Sequence, residues 1–398
     1  MGKRKGFVTL SLIILLDICA SSFLYAVPQY EIDFVKGNIA QKIEAIKKAS
    51  DFNDNSIPLK AIRFAFESRQ SIGEDSDINA LMAAAVKAID VNNVTTEQKC
   101  EISSELGNIF KSFSDKEIQA SVVEKMNYFP SDNNLSLINA YISEKIQKSS
   151  FMPEKSDMDD VTKACVRFLK SHGNKTSFNL LFMADFMGLW QGNKSFLEDA
   201  FGPLANNSGN EILLMFSSAK SSEKLKILQI LSNNEIISKK IKGEVAEKAL
   251  SDVITYMGGK SSITPTQDDV AVQLLMMQLI AETKWTKSAK RATEFFAIAS
   301  NEYEEGYFSD EEFSQLISNV ASVACSTTGQ VLSTYLDYLN KSMEMNDAPA
   351  ESVVLSVIKA LGGLGDKTAF DYLLYVTYLD YPQYITNAAR NALAQLKW

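Results

Sequence analysis

The stretch from Pro349 to Trp398 constrains this chain more than any other, because it carries one helical pattern twice. Between Val353 and Leu364 the apolar side chains fall at Val353, Val357, Ala360, Leu361 and Leu364, a spacing that lines one face of a helix. Gly362, Gly363 and Gly365 then end it, since glycine accepts the left-handed conformation favoured at a helix C-terminus. A second helix is predicted from Thr368 to about Asp380, with the Thr368 hydroxyl as cap and Asp371 in the favourable field of the first turn. Tyr381-Pro382 breaks it, and Pro382 can open a third helix carrying Ile385, Ala389, Ala392, Leu393 and Leu396.

The same pattern returns upstream. Phe313, Ile317, Val320, Ala321 and Ala324 match the first helix with a shift of 40, and Thr328, Leu332, Tyr335, Leu336 and Leu339 match Thr368, Tyr372, Tyr375, Val376 and Leu379. Val161, Cys165, Phe168, Leu169, His172 and Gly173 match with a shift of 192, and Asn174-Lys175-Thr176-Ser177-Phe178 then repeats Asp366-Lys367-Thr368-Ala369-Phe370. Ile102, Leu106, Ile109, Phe110 and Phe113 give the spacing again, as do Ile78, Met82, Ala85, Val86 and Ile89.

Ala360-Leu361-Gly362-Gly363-Leu364-Gly365-Asp366, the following helix, the turn at Asp380 and the helix ending Ala-Leu-Ala-Gln-Leu resemble bacterial HEAT repeats. The likeness is close over Pro349–Leu396, fair over Thr286–Cys325 and Val161–Ala205, and a matter of periodicity elsewhere. It implies an all-α chain, a right-handed α-solenoid of HEAT-like helix pairs. Val354 and Thr386 stand where many repeats of that family carry an arginine, which implies an irregular solenoid without a regular Asp–Arg ladder. Such repeats specify architecture and leave function open.

The chain divides into residues 1–26, a targeting segment, then 27–150, 151–260 and 261–398, three groups of helical repeats. Lys3, Arg4 and Lys5 precede the apolar run Phe7–Leu16, and the expected cut follows Leu24-Tyr25-Ala26. Two alternatives stand beside cleavage. A retained anchor would have to bury Asp17, and Leu16-Asp17-Ile18-Cys19 carries the leucine and cysteine of a bacterial lipoprotein signal, which makes Cys19 a candidate lipidation site. The expected location is therefore the periplasm or cell envelope of a bacterium. Asn93, Asn134, Asn174, Asn193, Asn206 and Asn340 sit in glycosylation sequons, which matter only in a eukaryotic secretory pathway.

Loss of residues 1–26 removes Lys3, Arg4, Lys5 and Asp17 and takes the formal charge from −9 to −11. So acidic a chain is not expected to bind nucleic acid or an anionic membrane surface, both of which need clustered Lys and Arg. Cys100, Cys165 and Cys325 are odd in number, far apart and on or beside apolar stripes, so they are expected as small buried hydrophobes rather than a disulfide framework. Asp51-Phe52-Asn53-Asp54-Asn55 begins like a calcium loop but lacks its glycine and its acidic twelfth residue, and reads as a polar turn. Ser149–Asp160 is the candidate break between lobes, and Gly258-Gly259-Lys260-Ser261 reads as a helix stop and linker rather than a phosphate loop. The acidic residues around Glu302–Glu305 and Asp310–Glu312 read as a solvated turn whose second half favours the next helix start.

No reaction is legible. His172 is the one histidine and falls at a helix end, so zinc sites and the common triads have nothing to build on. No cofactor or metal is expected. The expected function is non-catalytic binding of an unknown protein or peptide along the concave face; the alternative is an envelope hydrolase or lyase with an unidentified carboxylate-based site. The last helix has a polar side at Thr386, Asn387, Arg390, Asn391 and Gln395, as an end repeat requires. The helix before it carries two apolar stripes: Tyr372, Tyr375, Val376 and Leu379, and Phe370, Leu373, Leu374, Tyr378 and Tyr381. Burial of both is the simpler expectation, and the candidate partner contacts are Phe370, Tyr378, Tyr381 and Trp398.

Overall fold

The structure is a computed structural model that describes residues 27–73, 75–92, 94–153, 156–257 and 264–397. Residues 1–26, read above as a targeting segment and containing Cys19, the Gly258–Ser261 stretch and Trp398 lie outside the described residues. The chain is all-α: 78% of it is helical, in twenty α-helices and no strand among the described residues. Its described residues form two compact units, one of those up to residue 147 together with 158–172, the other of those in 148–157 and from 173 onward. The helices before and after residue 260 thus belong to one unit.

The first unit contains α1 (Gln29–Lys36), α2 (Ile39–Asp51), α3 (Ser56–Ile72), α4 (Ser76–Ala88), α5 (Thr96–Ser112), α6 (Lys116–Met126), most of α7 (Asp132–Ser149) and α8 (Asp160–His172). Polar side chains start these helices where the sequence offers them. Asn38 and Thr95 form capping boxes with Gln41 and Gln98, while Asp75 and Asp115 each accept an amide from the first turn. α1 packs on α2, α2 on α3, α3 on α4 and α5 on α6 and, in a second register, α2 on α4, α4 on α6 and α6 on α8. The apolar stripes at Ile78–Ile89, Ile102–Phe113 and Val161–Leu169 supply the buried core of this unit. Asp159 caps α8 by accepting from the Thr162 amide at 2.9 Å and hydroxyl at 2.6 Å, and it also accepts from Lys145 at 2.9 Å and Lys116 at 3.3 Å. Despite partial burial, those bonds hold its carboxyl well below the usual carboxylate range, so one side chain ties α6, α7 and α8 together.

The second unit runs through α9 (Lys175–Phe186), α10 (Lys194–Ala205), α11 (Gly209–Ser218), α12 (Ser221–Asn233), α13 (Lys239–Met257), α14 (Gln267–Thr283), α15 (Ala289–Glu304), α16 (Asp310–Ser322), α17 (Thr328–Glu344), α18 (Glu351–Leu364), α19 (Phe370–Val376) and α20 (Gln383–Gln395). Alternate helices make two rows. One is α12, α14, α16, α18 and α20; the other is α11, α13, α15, α17 and α19. The row ending in α20 is the more extensively packed at its C-terminal end.

Two local expectations need correction here. Gly362 and Gly363 do not end α18, which runs to Leu364 and stops at Gly365 with φ +65°. Gly362 serves packing instead, because a Cβ there would meet the Ala392 backbone at 3.0 Å. The cap of the following helix is Asp366, whose carboxylate accepts the Thr368 amide at 3.0 Å, and a short 3-10 turn at Lys367–Ala369 precedes α19. A carboxylate accepts an amide better than a hydroxyl does, and Asp366 sits at the extended cap position.

Among the described residues, assorted polar ties join residues about one repeat apart. In the first unit Arg63 pairs with Glu101 and Arg167 with Glu124 at 3.0 Å, while Asn55 exchanges two hydrogen bonds with the Asp90 backbone. In the second unit the Trp285 indole donates to Glu247 at 2.7 Å, Arg291 to Ser251, and Asn340 to the Tyr372 carbonyl at 3.2 Å. The segment Asp51–Asn55 is a polar turn with Asn53 at φ 55°, as its missing calcium ligands imply.

Candidate interaction surface

The C-terminal tyrosines separate sharply. Tyr381 is 7% exposed and its hydroxyl donates to the Leu339 carbonyl at 3.2 Å, so it is a core residue and not a partner contact. The physical reason is that a buried phenol needs an acceptor, and the last turns of α17 present one. Phe370 is half-buried at the start of α19. Tyr378, by contrast, is 75% exposed, and Tyr375 from the other stripe is partly exposed. Neither stripe is therefore wholly buried, and one exposed residue from each meets solvent three positions apart.

These two residues belong to a repeated arrangement. Glu304 and Glu344 differ by 40 positions and end α15 and α17; Tyr335 and Tyr375, like Tyr338 and Tyr378, also differ by 40. Glu304 accepts from Tyr335 at 3.3 Å and from Tyr338 at 2.9 Å. Glu344 accepts from Tyr375 in the same way. Each carboxylate at a helix end thus holds a phenol of the next helix in its row, and both phenols are pushed above their ordinary pKa. For Tyr338 and Tyr375 the bonded glutamate is the largest cause. Tyr338 is 46% exposed and stacks on Tyr335 with centroids 5.8 Å apart. At the turn after α17, Met345 is 75% exposed, and Tyr384 at the start of α20 is half exposed and donates to Glu351.

Carboxylates crowd this edge. Residues 300–312 hold six of them and no basic residue; 371–387 hold Asp371 and Asp380 and no basic residue. Between them Lys341 is the one cation of residues 340–351, and it is paired with Asp337 at 2.5 Å. The second half of the first cluster starts a helix as expected, with Ser309 and Glu312 in a capping box before α16, but Glu302 is buried within α15 and is not part of a solvated turn. The sequence signal that would have found the surface was present. It is the 40-residue shift read at polar positions, where Glu304 and Tyr338 recur as Glu344 and Tyr378.

Three other groups carry chemistry. His172 ends α8, tilted against Phe168 with centroids 5.0 Å apart, and its Nε2 lies 3.1 Å from the Asn127 carbonyl. The three cysteines are not alike. Cys165 is buried and burial pushes its thiol up, whereas Cys100 is exposed and Cys325 half-exposed, which corrects the expectation of three buried hydrophobes. Partial burial works against ionisation of Cys325, but hydroxyls of Thr327 at 3.2 Å, Thr293 at 3.5 Å and Thr328 at 3.6 Å outweigh it and bring the thiol down to about 6. In a Cys100→Ser background, alkylation by iodoacetamide should therefore titrate with a midpoint near pH 6, and Thr327→Val should move that midpoint upward. A midpoint at or above the ordinary thiol value in the folded chain contradicts this arrangement.

In the first unit, α5 turns a polar stripe, including Lys99, Ser104, Asn108 and Lys111, toward the start of α7 across a groove of about 1020 Å³. Its floor is closed by Asn134, which donates to the Ser103 carbonyl and hydroxyl at 3.0 Å, and by Ser103 donating to Ser131 at 2.9 Å. Asn134 is 2% exposed and Asn340 is fully buried, so neither sequon is open to glycosylation in the folded chain. Among the described residues no group of three His, Cys, Asp or Glu side chains could hold a metal ion, and no helix is long and apolar enough to cross a membrane.

No protein-family model, no curated protein and no solved structure matches this chain.

Proposed function

We propose that this chain is an exported, non-catalytic α-solenoid that binds protein or peptide, in the periplasm or cell envelope of a bacterium. The solenoid reading is supported within each unit by helices that pack at alternate positions and by polar ties recurring about one repeat apart. Export rests on the basic, apolar and small-residue order of residues 1–26. The observation that carries the binding reading is the recurrence of an exposed tyrosine at one equivalent place of two successive repeats, Tyr338 and Tyr378, with the exposed Tyr375 beside the second. Tyr338, Tyr375 and Tyr378 put large amphipathic rings in water where folding alone gives no reason to leave them, and such rings dominate the energetics of protein interfaces. The expectation of binding along the concave face becomes a specific proposal for the row α15, α17 and α19.

A photo-crosslinking side chain at Tyr378, with a control at Asn391 on the polar side of α20, tests this. A discrete adduct from the native envelope fraction at position 378 and none at 391 is the expected result. Equal labelling at both positions, or none at either in folded protein, overturns the reading.

A further inference from the structure

The chemistry of the tyrosine edge selects among partners. A surface for an acidic or an apolar segment would pair its aromatic rings with lysines, arginines or aliphatic side chains. Here the rings stand among carboxylates: Glu304 under Tyr338, Glu344 under Tyr375, Asp337 close enough to Tyr375 to raise its phenol, and Asp347 close enough to Tyr338 to raise that one. The one lysine within the patch is neutralised by Asp337, and the last arginine, Arg390, bonds Asn387 on the polar side of α20. A ring face that is electron-rich, with an anion beside it and the nearby cation already paired, is a receptor for an ammonium or guanidinium group.

Resting on the binding function proposed above, we infer that the partner contributes an extended segment rich in lysine or arginine, its cations seated on Tyr338, Tyr375 and Tyr378. Geometry adds a spacing rule. Packed helices lie about 8–10 Å apart, and a chain extended as polyproline II advances about 3.1 Å per residue with every third side chain on one face. Cations three residues apart therefore meet rings of successive helices in the row α17 and α19. Tyr378 is the terminal position of this register. Its counterpart Tyr338 gives its hydroxyl to Glu304, whereas the equivalent carboxylate Glu344 accepts from Tyr375, and the Tyr378 ring stands 75% exposed. A second copy of the chain is a poorer occupant, because it is itself acidic, with a formal charge of −9.

Fluorescence anisotropy with the intact chain and labelled peptides decides the point. The probes are a twelve-residue peptide with arginine at every third position, the same composition with its arginines clustered at one end, and an isosteric peptide with glutamate in place of arginine. The spaced basic peptide is expected to bind at least tenfold tighter than the acidic one. It should lose at least tenfold between 0.05 and 0.5 M salt, and at least fivefold with the chain carrying Tyr338→Ala and Tyr378→Ala. Glu344→Gln, which keeps the shape of the site, should weaken the same peptide without changing the melting temperature appreciably. Acidic and basic peptides bound equally, or tyrosine variants binding as the parent does, overturns the inference. If the crosslinker at Tyr378 captures a partner whose contacting segment is not basic, binding at this surface stands and the cationic partner falls. If no adduct forms and no peptide binds, both fall.

Discussion

Phe313→Ala is expected to lower the unfolding free energy of the second unit by about 3–5 kcal/mol, the range for emptying a phenylalanine site in a packed core. The ring is fully buried near the start of α16. It stacks on Tyr303 at 4.4 Å and Phe296 at 5.8 Å, both from α15, and meets Tyr335 of α17 edge-on at 5.7 Å. Three helices therefore lose contacts at once, and rings fixed by several partners cannot collapse into the space that is left. Urea unfolding followed by far-ultraviolet circular dichroism measures it, with Phe52→Ala as a control, since Phe52 is 71% exposed and stacks only on Tyr30. The control should change stability by less than about 1 kcal/mol. A Phe313→Ala loss as small as the control's would mean that the aromatic cluster does not join these helices as described.

Glu302→Gln is expected to stabilise the protein at pH 8 and to remove a pH dependence. Glu302 is 5% exposed at the end of α15, where burial pushes its carboxyl up from 4.5 to about 7, with Glu305 and Asp269 adding to the rise. Its Oε1 accepts from Gln273 of α14 at 3.3 Å, while its Oε2 and the Gln273 Oε1 are both buried without a partner. A protonated carboxyl can donate to an amide oxygen and accept from the same amide, so the neutral form satisfies what the ionised form leaves bare. The folded pKa is the raised one. Below about 4.5 both states hold the proton and the stability is fully present. Between 4.5 and 7 the unfolded chain releases the proton while the folded chain keeps it, so stability falls as pH rises. At about 1.4 kcal/mol per unit of difference, the loss approaches 3 kcal/mol by pH 7.

Gln at position 302 keeps the shape and the pairing with Gln273 and carries no proton to lose. The difference in unfolding free energy between variant and parent should therefore grow from near zero at pH 4.5 to its maximum above pH 7. Taking that difference isolates Glu302 from Asp185, whose burial raises it to about 6 and works in the same direction, and from Asp252 and Asp269, which their hydrogen bonds hold low. A variant that is less stable than the parent at pH 8 would show that the charge is solvated or paired.

The all-α character was legible because it is written locally. A stripe such as Val353, Val357 and Leu361 needs only the helical period to be read, and the structure buries all three. The repeat of 40 was legible for the same reason, since Phe313, Ile317 and Val320 recur one copy later. Helix ends were less so: Gly362 and Gly363 read as a stop, yet both lie inside α18, and at Gly362 the glycine answers to Ala392 of α20, which comes too close for any side chain. The surface was less legible still. Tyr375, Tyr378 and Tyr381 are one residue type at helical spacing, and nothing within the segment distinguishes them. A carbonyl 42 positions upstream takes Tyr381 into the core, a glutamate 31 positions upstream holds Tyr375 at the edge, and the Tyr378 side chain stands largely in solvent. The same holds for Glu302, whose proton affinity is raised by burial among packed helices and by Asp269 from another helix, and in part for Cys325, where Thr293 of the preceding repeat adds to the local Thr327. Periodicity belongs to one segment and determines which residues form helices. Exposure and ionisation belong to pairs of segments, and they exist only once the helices have been packed.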